Sequence, residues 1–191
     1  MSDVWQYLRD VQQLVGQLDT AAIERLIDLL AGAWRSGKQV VLMGNGGSSA
    51  TASHIVNDLQ KCIQLETGRA LKAMCLSDNT PLVLAWANDA GYEQVYARQV
   101  ECWVGECDVV IGISGSGNSP NVVQAIEAAN ALKAHTYGLS GCGGGNLARV
   151  AKDNLVAPSD NMQHIEDLHM VVLHAVFATL RDRLRSEVPS S

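Results

Sequence analysis

The sequence predicts an α/β fold: a three-layer αβα sandwich around a five-stranded parallel sheet, with a helical arm before it and a long helix after it. Three observations carry that expectation. Five short apolar runs, QVVLMG, LKAMCL, DVVIGIS, HTYGLSG and NLVAPS, begin at residue 39, each bounded by turn or polar residues. Helix-like segments separate most of them, at 48–61, 79–104, 119–133 and 144–152. The runs are near-continuously apolar rather than alternating, as strands covered on both faces are.

Each element has its own signal. Residues 3–35 carry apolar side chains at helical spacing: Val4, Leu8, Val11, Leu14, Val15 and Leu18, then Ile23, Leu26, Ile27 and Leu30. Asp19 and Thr20 suit a cap between two helices. This arm, residues 1–36, is expected to pack on another element or subunit, and residues 37–191 to form the core of one domain. The last segment, 161–186, repeats the helical pattern with Ile165, Leu168, His169, Val172, Leu173, Val176 and Leu180. The four prolines, at 81, 120, 158 and 189, fall where helix starts or chain turns are expected.

Composition narrows the function classes. With 47% hydrophobic and 18% charged residues, the 191-residue chain can bury a real core. A net charge of -6 argues against a broad electrostatic footprint for nucleic acid or anionic membrane. A local anion site is compatible with it, because backbone N–H groups bind phosphate without net positive charge. Cys62, Cys75, Cys102, Cys107 and Cys142 form no CxxC pair, and an odd count suggests reduced thiols and a cytoplasmic location. Cys75 reads as a small buried hydrophobe. The amphipathic N-terminus is unlike a secretory leader, and no run of eighteen apolar residues suggests a membrane span.

Two strand ends have the chemistry of a phosphate cradle. GNGGSS, Gly44 to Ser49, follows the first strand. Its glycines allow close backbone approach, and the next helix supplies free N–H groups at its positive end. SGSGNS, Ser114 to Ser119, follows the third strand and adds the hydroxyls of Ser114, Ser116 and Ser119. Each loop alone is equally an ordinary strand–helix turn. Neither matches a P-loop or the dinucleotide spacing. A third loop, GCGGGN, Gly141 to Asn146, lacks a serine cluster and reads as a flexible turn.

Histidines and carboxylates recur at helical spacing. His54 and Asp58 are four apart and share a helix face. Glu166 and His174 are eight apart and share another, with His169 about 60° away from Glu166. Two histidines and two carboxylates suit Zn²⁺ or a similar divalent ion. Spacing alone equally allows a surface polar pair on the first helix and packed histidines on the second.

Taken in order, the helical arm, GNGGS, the helix bearing His54, LSDNTPLVLAWANDAGYEQVYARQV, GISGSGNSPNV and IEDLHMVVLH resemble the SIS-domain sugar isomerases, and within them the phosphoheptose isomerases. The block ANDAGYE followed by RQV is the most specific piece. The resemblance implies a metal-assisted aldose–ketose isomerase in surface-polysaccharide biosynthesis, acting on sedoheptulose 7-phosphate as a homotetramer with active sites shared between subunits. It implies that the loop Ser114, Gly115, Ser116 and Ser119 holds the phosphate. Asn45, Gly46, Ser48, Asp89 and Glu166 match positions that contact the sugar or shape its pocket. One Zn²⁺ per subunit would be held by His54, Asp58, Glu166 and His174, with Asp58 and His174 as general base and acid.

The chain departs from the family pattern at named positions. Asp58 stands where the family has glutamate, Glu166 where it has glutamine, and Gly115 where it has threonine. Lys61 and Cys62 lie where the family carries an arginine. The pair Asp58 and Glu166 makes a carboxylate-rich variant of the site. Alternatives left open are an isomerase of another phosphosugar and a non-catalytic tetramer that binds a sugar phosphate or a protein. A DNA-binding regulator is not expected, since no basic helix-turn-helix segment precedes residue 39.

Overall fold

A computed structural model of the protein describes residues 3–188. Five parallel strands form one sheet: β1 (Gln39–Gly44), β2 (Lys72–Cys75), β3 (Val109–Ser114), β4 (His135–Ser140) and β5 (Asp153–Val156), in the order β2-β1-β3-β4-β5. The expected fold class is therefore the observed one. Nine α-helices accompany the sheet among the described residues: α1 (Val4–Val15), α2 (Thr20–Ser36), α3 (Gly47–Asn57), α4 (Ile63–Thr67), α5 (Thr80–Ala90), α6 (Ala97–Trp103), α7 (Pro120–Ala131), α8 (Gly145–Val150) and α9 (Met162–Glu187).

Strand pleating sorts the core into two layers. Val40, Leu42, Ile111 and Leu139 point to one face and pack with α2, α3 and α9. Val41, Met43 and Val110 point to the other and pack with α6, α7 and α8. The strand order reverses between β1 and β3. Ligands of open parallel sheets bind at such a switch point, outside the carboxyl ends of the strands.

Local chemistry explains most element ends. Asp19 caps α2, its carboxylate accepting from the N–H groups of Ala21 and Ala22. Gly37, at φ 69°, closes the same helix in the left-handed conformation that costs glycine nothing. Pro81 and Pro120 sit in the first turns of α5 and α7. Pro189 lies outside the described residues.

Three expectations are revised. The segment 79–104 is not one helix: Gly91, at φ 94°, ends α5, and a 3₁₀ turn at Tyr92–Gln94 precedes α6. The helix expected over 48–61 runs on through a π turn, Asp58–Cys62, into α4. Of the N-terminal arm only α1 stands apart, because α2 buries Leu26, Ile27, Leu30 and Trp34 as a layer of the sandwich. None of the α1 residues is buried, and Val4, Trp5 and Leu8 are more than half exposed. The arm is tied to α9 by Tyr7, whose hydroxyl donates to Asp167 Oδ2 at 2.6 Å. That bond to a carboxylate pushes the phenol up to about 12.

Candidate active site

The loop after β1 and the loop after β3 lie at the switch point, because β1 and β3 are neighbours with Gly44 opposite Ile113. Asn45 is fixed by a reciprocal amide pair with Asn121, both bonds 2.9 Å long. Asn121 is buried, so this pair anchors the first loop to α7. The Tyr92 hydroxyl also donates to Asn45 Oδ1 at 3.0 Å, and the Tyr96 hydroxyl donates to the Gly44 carbonyl at 2.5 Å. Ser48 is buried in the first turn of α3. Gly46 is its N-cap, at φ 52°, a conformation that favours glycine.

In the second loop Ser114 Oγ donates to Ser119 Oγ at 3.0 Å and lies 3.5 Å from Ser116 Oγ. The three hydroxyls therefore cluster on one turn. The third loop, expected as a flexible turn, is fixed against this one. Leu147 N–H donates to the Gly117 carbonyl at 2.8 Å, and Asn146 N–H to Asn118 Oδ1 at 3.0 Å. A Cβ on Gly117 would overlap the Gly144 carbonyl, so the two glycine loops touch backbone to backbone. The glycines of GCGGGN supply close approach at Gly141 and Gly145, and Gly143, Gly144 and Gly145 also hold positive φ, at 72°, 95° and 59°.

Helices α3 and α9 pack side by side over the same sheet face, and this brings the histidines together. His54 Nε2 lies 3.0 Å from His174 Nε2 and 3.7 Å from Asp58 Oδ2. Nitrogen and oxygen atoms of His54, Asp58 and His174 all lie within 4.8 Å of one another. Asp58 opens the π turn, and its Oδ1 accepts from Asn57 Nδ2 at 3.2 Å, leaving Oδ2 toward His54. Two imidazole nitrogens facing each other beside a carboxylate is a donor set that fits Zn²⁺. π turns recur at functional positions of helices.

Three further residues of the sequence reading stand elsewhere. Glu166 is outside the three-residue group. Its carboxylate lies over Gly47, where an added Cβ would come within 2.8 Å of Oε2. Asp89 is exposed on α5 and accepts from Asn88 Nδ2 at 2.7 Å. His169 is not at the cluster either: it is 1% exposed, and Nε2 lies 3.0 Å from the Ser140 carbonyl oxygen. Burial holds this imidazole below its ordinary range, so it is neutral and donates from Nε2.

One feature of the site had no signal in the sequence pattern. The first turns of α9 rest on three loop glycines at strand carboxyl ends: Met162 on Gly115, Ile165 on Gly141 and Glu166 on Gly47. A Cβ on Gly141 would sit 2.5 Å from Ile165 Cγ1. These glycines are seats for a helix. Only their pairing with residues some 20 to 120 positions away could have announced it. A cavity of about 560 Å³ lies at the other end of the sheet, against α2, and is lined by none of the predicted site residues.

Comparisons with known proteins show the family and the fold. The SIS domain model matches residues 6–141. The chain is similar to a phosphoheptose isomerase of Geobacter sp. (strain M21), 40% identical over 163 residues, which are 85% of this chain and 84% of the relative. Among solved structures it is similar to a phosphoheptose isomerase from Francisella tularensis, with TM-score 0.88 and 26% identity over 94% of this chain and 96% of that one. The phosphoheptose isomerase of Neisseria gonorrhoeae gives TM-score 0.83 and 28% identity over 91% and 92%.

Proposed function

This chain belongs to the SIS domain family, among its phosphoheptose isomerases, and we propose that it converts sedoheptulose 7-phosphate to D-glycero-D-manno-heptose 7-phosphate. It is a sugar-phosphate aldose–ketose isomerase. The observation that carries the reading is the convergence of His54, Asp58 and His174 within 4.8 Å. A second feature, a cluster of three serine hydroxyls, lies at the sheet's switch point.

Ketose and aldose interconvert through a cis-enediol. Ser114, Ser116 and Ser119 hold the phosphate, so the far end of the sugar is fixed and its first two carbons lie at Asp58. The Asp58 carboxylate takes the proton from C1 while His174 gives one to the carbonyl oxygen on C2. The enediol then collapses: His174 recovers a proton from the C1 hydroxyl, and Asp58 returns its proton to C2. Asn45, Ser48, Asp89 and Glu166 contact the sugar. A Zn²⁺ ion held by His54, Asp58 and His174 supplies Lewis-acid polarisation of the adjacent sugar oxygens when bound.

We also infer a cytoplasmic homotetramer with active sites shared between subunits, supplying heptose for surface polysaccharide. The uncovered apolar side chains of α1, together with Leu84 and Trp103, support association between copies. No helix among the described residues is long and apolar enough to cross a membrane. The deciding experiment assays aldose formation from a panel of ketose phosphates, with elemental analysis of the purified protein. Turnover of sedoheptulose 7-phosphate in preference to pentose and hexose phosphates is expected. Activity on one of the others alone would reassign the substrate, and no activity on any would leave a binding protein.

A further inference from the structure

We propose that Tyr92 contacts the substrate and sets specificity, its phenolic oxygen accepting a proton from one hydroxyl of the sugar while Asn45 Nδ2 donates beside it. The inference deepens the isomerase reading and rests on it. Tyr92 belongs to ANDAGYE, the most specific block of the sequence. Its side chain is 54% exposed, so it is no part of the core. Yet its hydroxyl reaches the loop after β1, 47 positions away, and meets Asn45 Oδ1 at 3.0 Å.

A chain of hydrogen bonds decides where each proton lies. The backbone N–H of Val122 can only donate, and it meets the Ser119 carbonyl at 3.1 Å and Asn121 Oδ1 at 3.0 Å. That fixes which end of the Asn121 amide carries oxygen. Asn121 and Asn45 then pair Nδ2 to Oδ1 in both directions, each bond 2.9 Å. A flipped Asn45 would set N–H against N–H and carbonyl against carbonyl. Asn45 therefore turns an acceptor toward Tyr92, and the Tyr92 proton goes to it. Tyr96 does not compete: its single proton lies on the Gly44 carbonyl at 2.5 Å, and its oxygen is 3.4 Å from Asn45 Oδ1.

Two groups remain for a ligand. With its proton committed, the Tyr92 oxygen offers lone pairs alone. The second hydrogen of Asn45 Nδ2 has no acceptor among the described residues. The two are adjacent, because the Tyr92 oxygen touches the same amide that carries Nδ2. An alcohol accepts from the one and donates to the other. A carbonyl can only accept, and a deoxygenated carbon can do neither. The pair therefore recognises a sugar hydroxyl, separately from the phosphate and from the proton-transfer end.

The test compares the full-length protein with Tyr92→Phe, which keeps the ring and removes the phenolic oxygen. KM and kcat are measured for sedoheptulose 7-phosphate and for its monodeoxy analogues, and the Kd of inorganic phosphate by calorimetry. Tyr92→Phe is expected to raise KM for the parent sugar about five- to tenfold, with kcat within about twofold and phosphate affinity unchanged. For one monodeoxy analogue, the variant and the parent should show the same KM, because the partner hydroxyl is already missing. Parental KM in Tyr92→Phe overturns the proposal. So does an equal loss of phosphate affinity, which would mean a disturbed loop, or a KM penalty that is the same for every analogue. A parent inactive on sedoheptulose 7-phosphate overturns the substrate reading itself, and the inference with it.

Discussion

His54 and His174 face each other with their Nε2 atoms 3.0 Å apart, although 120 positions separate them in the chain. At that distance the two imidazoles cannot both carry a proton on the facing nitrogens without repulsion, and a shared cation relieves this. Replacing His174 with Ala is expected to remove most bound metal, read by elemental analysis, and to lower turnover about 100-fold or more. Helix content should hold, since His174 is exposed. Full metal occupancy in the variant would take His174 out of the site.

Asp58 presents one carboxylate oxygen to His54 while the other is held by Asn57. Asp58→Asn keeps the size and removes the proposed base. Turnover is expected to fall about 100- to 1000-fold, with affinity for inorganic phosphate unchanged. A variant with parental kcat rejects Asp58 as the base.

Ser116 is half-buried, and its hydroxyl lies 3.5 Å from that of Ser114. Ser116→Ala deletes one donor to the proposed phosphate, a bond to a charged group being worth about 1.5–3 kcal/mol. KM should rise about tenfold or more while kcat changes little. A fall in kcat at constant KM would place Ser116 in the proton transfer instead.

His169 is neutral and buried in the fold, with its titration lowered by burial. The unfolded chain binds a proton there near the ordinary value of about 6.5, before the native state does. Stability is therefore unpenalised above that value. It is lost progressively as pH falls from about 6.5 toward the lower folded value. Chemical denaturation between pH 7 and pH 5 should show the loss, and His169→Gln should flatten it. A parallel pH slope in parent and variant would assign the loss to other groups.

Gly141 seats Ile165, which is fully buried and has nowhere to move. Gly141→Ala should destabilise the protein by about 1–3 kcal/mol through overpacking. The midpoint of denaturant unfolding reads this directly. An unchanged midpoint would mean that α9 is free to shift on its seat.

Much of the fold is legible locally. Val40 to Met43 announce a strand covered on both faces, Asp19 a cap, and Pro81 and Pro120 helix starts. Each of these signals acts within a few residues. The break at Gly91 was available as well, but the apolar pattern continues across it and masks it. The uncovered face of α1 could not be told from a buried one, since amphipathic spacing does not say what covers it.

By itself the sequence determined the alternation of strands and helices, the glycine and serine loops, and the pairing of His54 with Asp58 on one helix face. Only the tertiary structure decided that His174 meets that pair, that Glu166 lies over Gly47 instead, and that three loop glycines carry the first turns of α9. Helical spacing relates residues three or four apart. The meeting of α3 with α9 depends on how both pack over one face of the sheet, a balance of contacts across more than a hundred residues that no short motif encodes.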